Sequence, residues 1–109
     1  GEYSITPHAT FSISTGIALE IPDGYVGLIW DKSSIGSKGI KTLGGVVDAG
    51  YRGEVKVIVH NLNTTPYIFS HGDKVAQILI QKVELLDISE VGELNDSLRG
   101  ANGFGSTGK

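Results

Sequence analysis

Glu54-Val55-Lys56-Val57-Ile58-Val59-His60 sets valines at alternate positions, with Glu54, Lys56 and His60 between them. Side chains of a strand point to opposite faces with a period of two, so this spacing predicts a strand with one face in a core and the other in water. Working N-terminally, the same period runs from Thr10 to Ile21 through Phe11, Ile13, Ile17, Leu19 and Ile21. Pro22-Asp23-Gly24 then turns the chain into a further strand, Tyr25 to Trp30. Working C-terminally, Asn63-Thr64-Thr65-Pro66 and Ser70-His71-Gly72-Asp73 are turn clusters flanking a short strand, Tyr67 to Phe69. Val75 to Ile80 follows as a nearly continuous apolar strand, and Glu84 to Leu98, with no clean period, reads as a helical turn or a loop. Many short strands separated by glycine and proline turns predict an all-β fold, a jelly-roll-like β-barrel or β-clip. There is no internal repeat, so one β domain over residues 1–98 is expected to end in a flexible glycine-rich tail, residues 99–109.

The chain has 109 residues, 39% hydrophobic and 19% charged, which suits one soluble globular domain with a modest core. It carries no long apolar run and no signal-peptide pattern, and the expectation is a cytoplasmic protein that engages no membrane. Cysteine is absent, which removes disulfides, thiolate metal sites and cysteine nucleophiles together. Nine basic against twelve acidic side chains give a formal charge of −3, so a coat on nucleic acid held by phosphate contacts is not expected. An anionic ligand must therefore meet locally concentrated positive groups. The sixteen glycines cluster at 36–53 and 100–108, where they signal tight turns or close backbone approach.

Gly45-Val46-Val47-Asp48-Ala49-Gly50-Tyr51-Arg52-Gly53-Glu54-Val55 puts a carboxylate and a tyrosine in a glycine-bounded turn between apolar strands. The same residues make an ordinary hairpin if Asp48 satisfies its own turn. They make a site if Asp48 orients a water and Tyr51 packs on a sugar, with hairpin N–H and C=O groups reading a base edge. Arg99-Gly100-Ala101-Asn102-Gly103-Phe104-Gly105-Ser106-Thr107-Gly108 is either a frayed terminus or a lid. As a lid, Arg99 grips phosphate, glycine N–H groups converge on it and Phe104 stacks on a base. Asp31-Lys32-Ser33-Ser34-Ile35-Gly36 offers an ammonium and two hydroxyls in what is otherwise a polar turn. Gln77 stands within an apolar strand, where a buried amide must find partners. His8, His60 and His71 are not spaced as a metal cluster and read as structural. No Walker lysine loop, HExxH pair or GxSxG elbow occurs.

Taken in order, KSSIG (32–36), GGVVDAGYRGEV (44–55), GDKVAQ (72–77) and RGANGFGSTG (99–108) resemble four of the five motifs of the trimeric dUTPase family. The resemblance implies a β-rich homotrimer with active sites between subunits. It implies hydrolysis of dUTP to dUMP and pyrophosphate, which keeps uracil out of DNA, with Mg²⁺ chelated by the triphosphate rather than held directly by side chains. Carried over, Asp48 positions the attacking water and the sugar 3′-hydroxyl, and Tyr51 excludes a 2′-hydroxyl. Gly45, Val47 and Val55 contribute hairpin backbone to the substrate, and Lys32, Ser33, Ser34 and Gln77 meet phosphate oxygens. Arg99, Gly105, Ser106 and Thr107 close on the terminal phosphate while Phe104 covers uracil. The family's first motif, a GYDL-like stretch whose aspartate holds Mg²⁺ through water, belongs before Tyr3. The chain accordingly reads as the greater part of such a protein with its N-terminal segment missing. Lys32 replaces the usual arginine, Gly50 a frequent acid, and Thr42 stands near a position that is often asparagine. Two rivals share the fold: a non-catalytic nucleotide-binding or regulatory protein, and a dCTP deaminase. The deaminase needs a glutamate where this chain reads Lys56-Val57-Ile58-Val59, and an arginine where it has Ser37.

Overall fold

In the computed structural model, residues 2–103 are described. They form β1 (Glu2–Ile5), β2 (Thr10–Ala18), β3 (Tyr25–Asp31), α1 (Ser33–Gly36), β4 (Ile40–Leu43), β5 (Val46–Val47), β6 (Glu54–Asn61), β7 (Tyr67–Ser70) and β8 (Ala76–Lys82). The strands make three antiparallel sheets, ordered β2-β6-β4, β5-β3-β8 and β1-β7, the all-β, jelly-roll-like architecture expected from the strand pattern.

β6 alternates as its sequence requires: Val55, Val57 and Val59 are 8%, 6% and 0% exposed, while Lys56 and Ile58 face outward. Around it close Ile5, Ile13, Ile35, Ile40 and Phe69, so β1, β2, α1, β4 and β7 each give one residue to a single core. Asn61 ends the row of buried positions on β6, fully buried. Its Nδ2 donates to the carbonyls of Ile5 (2.9 Å) and Thr65 (3.0 Å), and its Oδ1 accepts from the backbone N–H of Asn63 at 2.9 Å. One amide thus ties the end of β1 to the turn before β7.

The expected strand from Thr10 to Ile21 ends at Ala18, because the pairing slips. Ser14 faces Lys56 and Ala18 faces Glu54, so four steps along β2 cover two along β6. Gly16 takes φ +73° in this bulge and its N–H bonds the Glu54 carboxylate at 2.8 Å, which leaves Ile17 exposed. β8 begins one residue later than expected and runs to Lys82. Its continuous apolar run is not buried: Ile78, Leu79 and Ile80 are 38%, 47% and 52% exposed. An open cavity of about 920 Å³ separates its inner face from β6 and β7. Residues 83–98 form loop and bends without a helical turn.

Asn61→Ala would strand the Ile5 and Thr65 carbonyls and the Asn63 N–H in a dry interior. Each unpaired buried group costs about 1–3 kcal/mol, so we expect a loss of roughly 2–4 kcal/mol in urea unfolding. A loss below about 1 kcal/mol would show that Asn61 does not join these segments.

Candidate active site

β3 ends at Asp31, and the chain turns at once into α1. Lys32 keeps an extended backbone (φ −88°, ψ 128°), and its carbonyl accepts the N–H groups of Ile35 at 2.9 Å and Gly36 at 2.8 Å. Ile35 is buried in the core and pins this turn, which leaves Ser33 and Ser34 exposed and Lys32 half-buried. Asp31 clasps β4, a strand with which β3 shares no ladder. Its Oδ1 accepts from the Thr42 N–H and the Thr42 hydroxyl, both at 2.8 Å, and its Oδ2 accepts from Lys41 Nζ at 2.6 Å. The bond from the Lys41 ammonium, followed by the Thr42 N–H, holds the Asp31 carboxyl down from 3.8 to about 2, against the desolvation that opposes it. Gln77 faces Trp30 across the β3–β8 ladder, and its side-chain Nε2 donates to the Asp31 carbonyl at 2.9 Å. This amide is exposed rather than buried, yet it is held against the Lys32 turn.

On the other edge of β3, Gly27 and Leu28 pair with Val47 and Val46. Gly45 enters the next segment at φ +108°, where its carbonyl accepts the Ile29 N–H at 2.8 Å. A Cβ on Gly45 would lie 2.9 Å from the Ile29 carbonyl oxygen, so both conformation and space require glycine. Val47 on β5 and Val55 on β6 are buried at the two ends of this segment and anchor it; because β5 pairs with β3 and β6 with β2 and β4, it is a loop crossing between two sheets and not the paired hairpin its sequence suggests. Its tip is closed by main chain, the Tyr51 N–H donating to the Asp48 carbonyl at 3.1 Å. Arg52 Nη1 donates to the Ala49 carbonyl at 2.6 Å, and the Tyr51 hydroxyl donates to the Glu54 carbonyl at 2.7 Å. Asp48 is exposed, and its carboxylate accepts no hydrogen bond among the described residues. The Asp48 side chain therefore does not satisfy its own turn among the described residues.

The site residues expected from sequence thus fall into two clusters flanking one strand. Lys32, Ser33, Ser34 and Gln77 gather at the end of β3, and Gly45, Val47, Asp48, Tyr51 and Val55 belong to the loop from β5 to β6 and its flanks. Arg99 belongs to neither: its Nε donates to the carbonyl of Asn102 in its own segment. Phe104, Gly105, Ser106 and Thr107 lie outside the described residues. Sequence reasoning gave no role to Asp31 or Lys41. The one available signal is a lone acid at the end of an apolar strand, directly before Lys32.

An antiparallel jelly-roll-like fold presenting a carboxylate-and-tyrosine loop and a lysine-, hydroxyl- and amide-bearing turn is the framework of a nucleotide-handling β protein. The dUTPase family model matches residues 1–108. The chain is 45% identical over 109 residues to the deoxyuridine 5'-triphosphate nucleotidohydrolase of Corynebacterium glutamicum, covering 96% of this chain and 73% of that protein. It superposes with TM-score 0.92 and 26% identity on a dUTPase of Staphylococcus bacteriophage 80alpha solved with dUpNHpp, covering 99% of this chain and 81% of that one. A phage phi11 dUTPase, whose structure reveals the coordination of a structural Mg(II) ion, superposes with TM-score 0.78 and 25% identity over 84% of this chain and 78% of that one. The chain belongs to the dUTPase family.

Because the Asp31 carboxyl is depressed in the folded state, its contribution to stability is present above the unfolded value of 3.8 and is lost as pH falls through about 2. Between those limits the native protein should lose stability more steeply than Asp31→Asn, measured by denaturant unfolding at each pH. Parallel curves for the two proteins would show that the clasp does not titrate with folding.

Proposed function

We propose that this chain hydrolyses dUTP to dUMP and pyrophosphate, with Asp48 aligning a water for attack on the α-phosphate. The observation that carries this reading is the Asp48 carboxylate, exposed and without an internal donor among the described residues, on a turn closed by the bond from the Tyr51 N–H to the Asp48 carbonyl. A triphosphate resists nucleophiles largely through its own charge, so catalysis consists of gripping it, neutralising it and placing water in line. Lys32, Ser33, Ser34 and Gln77 contact phosphate oxygens. Tyr51 packs on the deoxyribose, leaving a 2′-hydroxyl neither room nor partner. The backbone of Gly45, Val47 and Val55 takes the rest of the nucleoside. Residues 99–109 act as a lid, with Arg99, Gly105, Ser106 and Thr107 on the terminal phosphate and Phe104 over uracil.

Among the described residues no three His, Cys, Asp or Glu side chains gather into a metal cage. Mg²⁺ is proposed to enter as part of the substrate, chelated by the triphosphate, where it would neutralise phosphate charge. The free protein is proposed to be a cytoplasmic homotrimer that binds dUTP and neither nucleic acid nor membrane. No described helix is long and apolar enough to cross a membrane. Leu85, Leu86, Ile88 and Leu94 are 80–98% exposed, which supports cover by a second copy. The division of the site into clusters, with Arg99 bonded only within its own segment among the described residues, supports completion of each site in trans.

Pyrophosphate release should be strong with dUTP, weak with UTP, dTTP and dCTP, abolished by chelation and restored by Mg²⁺. Asp48→Asn should lower kcat by roughly 10²–10⁴-fold and leave KM within a few fold, because the carboxylate serves the attacking water. Equal losses in both would remove Asp48 from that role. Refolding Asp48→Asn chains together with chains truncated before Arg99 should restore activity, and mixed oligomers that stay inactive would rule out lids acting in trans.

A further inference from the structure

We infer that Gly53 is a specificity-determining residue: it is the seat on which the Tyr51 ring rests, and the missing side chain there fixes how strictly the sugar pocket refuses a 2′-hydroxyl. The inference rests on the proposed packing of Tyr51 against deoxyribose.

The Tyr51 hydroxyl reaches three residues forward to the Glu54 carbonyl at 2.7 Å. To do so the ring crosses directly over Gly53. A Cβ built on Gly53 would lie 2.6 Å from Tyr51 Oη, 2.7 Å from Cζ and 3.0 Å from Cε1. Carbon atoms do not approach so closely, so the ring and a side chain at 53 exclude each other. The backbone does not demand glycine here, because Gly53 is not among the residues of positive φ. Gly45 and Gly27 differ: Gly45 meets backbone at close range, and Gly27 is buried against the side chains of Ile78, Ile21 and Val47. At Gly53 the three nearest atoms all belong to the outer half of a tyrosine that is 47% exposed and has solvent to swing into.

An alanine at 53 therefore displaces the ring while the loop stays. Val47 and Val55 remain buried, and the tip bonds from Tyr51 N–H to Asp48 and from Arg52 to Ala49 do not involve residue 53. What is lost is the Tyr51–Glu54 bond and the fixed height of the ring. A wall that excludes a hydroxyl by contact works only while its position is held to a fraction of an ångström. A ring set free leaves a gap in which the hydroxyl can find water.

The test is the ratio of kcat/KM for dUTP to that for UTP in the full chain with Mg²⁺, for the native protein, Tyr51→Ala, Gly53→Ala and the double variant. Both single substitutions should lower the ratio by about tenfold or more, and Gly53→Ala should add less than about twofold in the Tyr51→Ala background, the non-additivity of two changes acting through one ring. If Tyr51→Ala leaves the ratio unchanged, the sugar-pocket reading itself fails. If Tyr51→Ala lowers it and Gly53→Ala does not, the reading stands and the role of Gly53 is overturned. A full effect of Gly53→Ala in the double variant would overturn it too, because the change would then act through the backbone. So would a fall in Tm of more than about 5 °C for Gly53→Ala that persists without the tyrosine, since the argument requires that only the ring be displaced.

Discussion

β3 is hydrogen-bonded on both edges, and the positions of both site clusters follow from that one strand. β5 lies along one side and β8 along the other, so Leu28 faces Val46 and Leu79 in the same row. The crossing is tight at Gly27, where a Cβ would lie 2.9 Å from Ile78 Cδ1, 3.0 Å from Ile21 Cδ1 and 3.3 Å from Val47 Cβ. A two-residue strand such as β5 contributes little pairing of its own. The loop from β5 to β6 is held by this close approach, by the Ile29–Gly45 bond and by the burial of Val47 and Val55. At its far end the same strand delivers Asp31, whose clasp on Lys41 and Thr42 bridges to the β2-β6-β4 sheet and whose carbonyl holds Gln77. The loop carboxylate, turn hydroxyls and strand amide of the candidate site are thus referenced to one strand, as aligning three groups on one ligand would require.

How much of this was legible in sequence depended on whether burial followed apolarity. β6 was legible because its valines are both apolar and buried. β4 was not, since Ile40 and Thr42 are its buried residues while Leu43 is 40% exposed. Thr42 tolerates burial because Asp31 satisfies its hydroxyl and its N–H, a long-range fact that no local period contains. β1 and β5 escaped notice because each contributes one buried residue, Ile5 and Val47, and a single position has no period. The bulge in β2 kept apolar residues at odd numbers while turning Ile17 outward, so the sequence ran in phase where the structure did not. The site motifs were legible as a resemblance, but the clasp on Asp31 and the seat under Tyr51 were not, because both depend on where side chains meet.

The β8 mismatch has a different cause. An unbroken apolar run reads as a strand covered on both faces, yet within one copy Ile78, Leu79 and Ile80 are 38%, 47% and 52% exposed, while Ala76 at the start of β8 packs against the core. On the outer face Trp30, Val46 and Leu79 are 55%, 65% and 47% exposed, and Leu28 lies between them. Beyond β8 the exposed leucines and isoleucine of residues 85–98 continue the pattern. The radius of gyration, 18.9 Å, exceeds the ~13 Å of a compact chain of this length. Such apolar surface is a cost in water that burial against further copies removes. A sequence period records where apolar residues stand, and along β8 apolarity and burial part company within one chain.

Two aspartates, Asp31 and Asp48, both stand at turns beside strands, and only the donors around them distinguish their roles. Asp31 takes an ammonium, a hydroxyl and an N–H, and those donors commit it to structure. Around Asp48 the donors of Tyr51 and Arg52 are directed elsewhere. The Tyr51 N–H goes to the Asp48 carbonyl, the Tyr51 hydroxyl to Glu54 and the Arg52 guanidinium to Ala49. Arg52 is the decisive case, because a cation four residues from a carboxylate in a tight turn is its natural ion-pair partner, and a paired carboxylate would have its lone pairs occupied before any water arrived. By taking Arg52 onto a main-chain carbonyl, with Glu20 as a loose second partner at 3.9 Å, the loop keeps its tip closed without using the Asp48 side chain. A turn stabilised entirely by main-chain carbonyls leaves the carboxylate at its corner without an internal donor among the described residues.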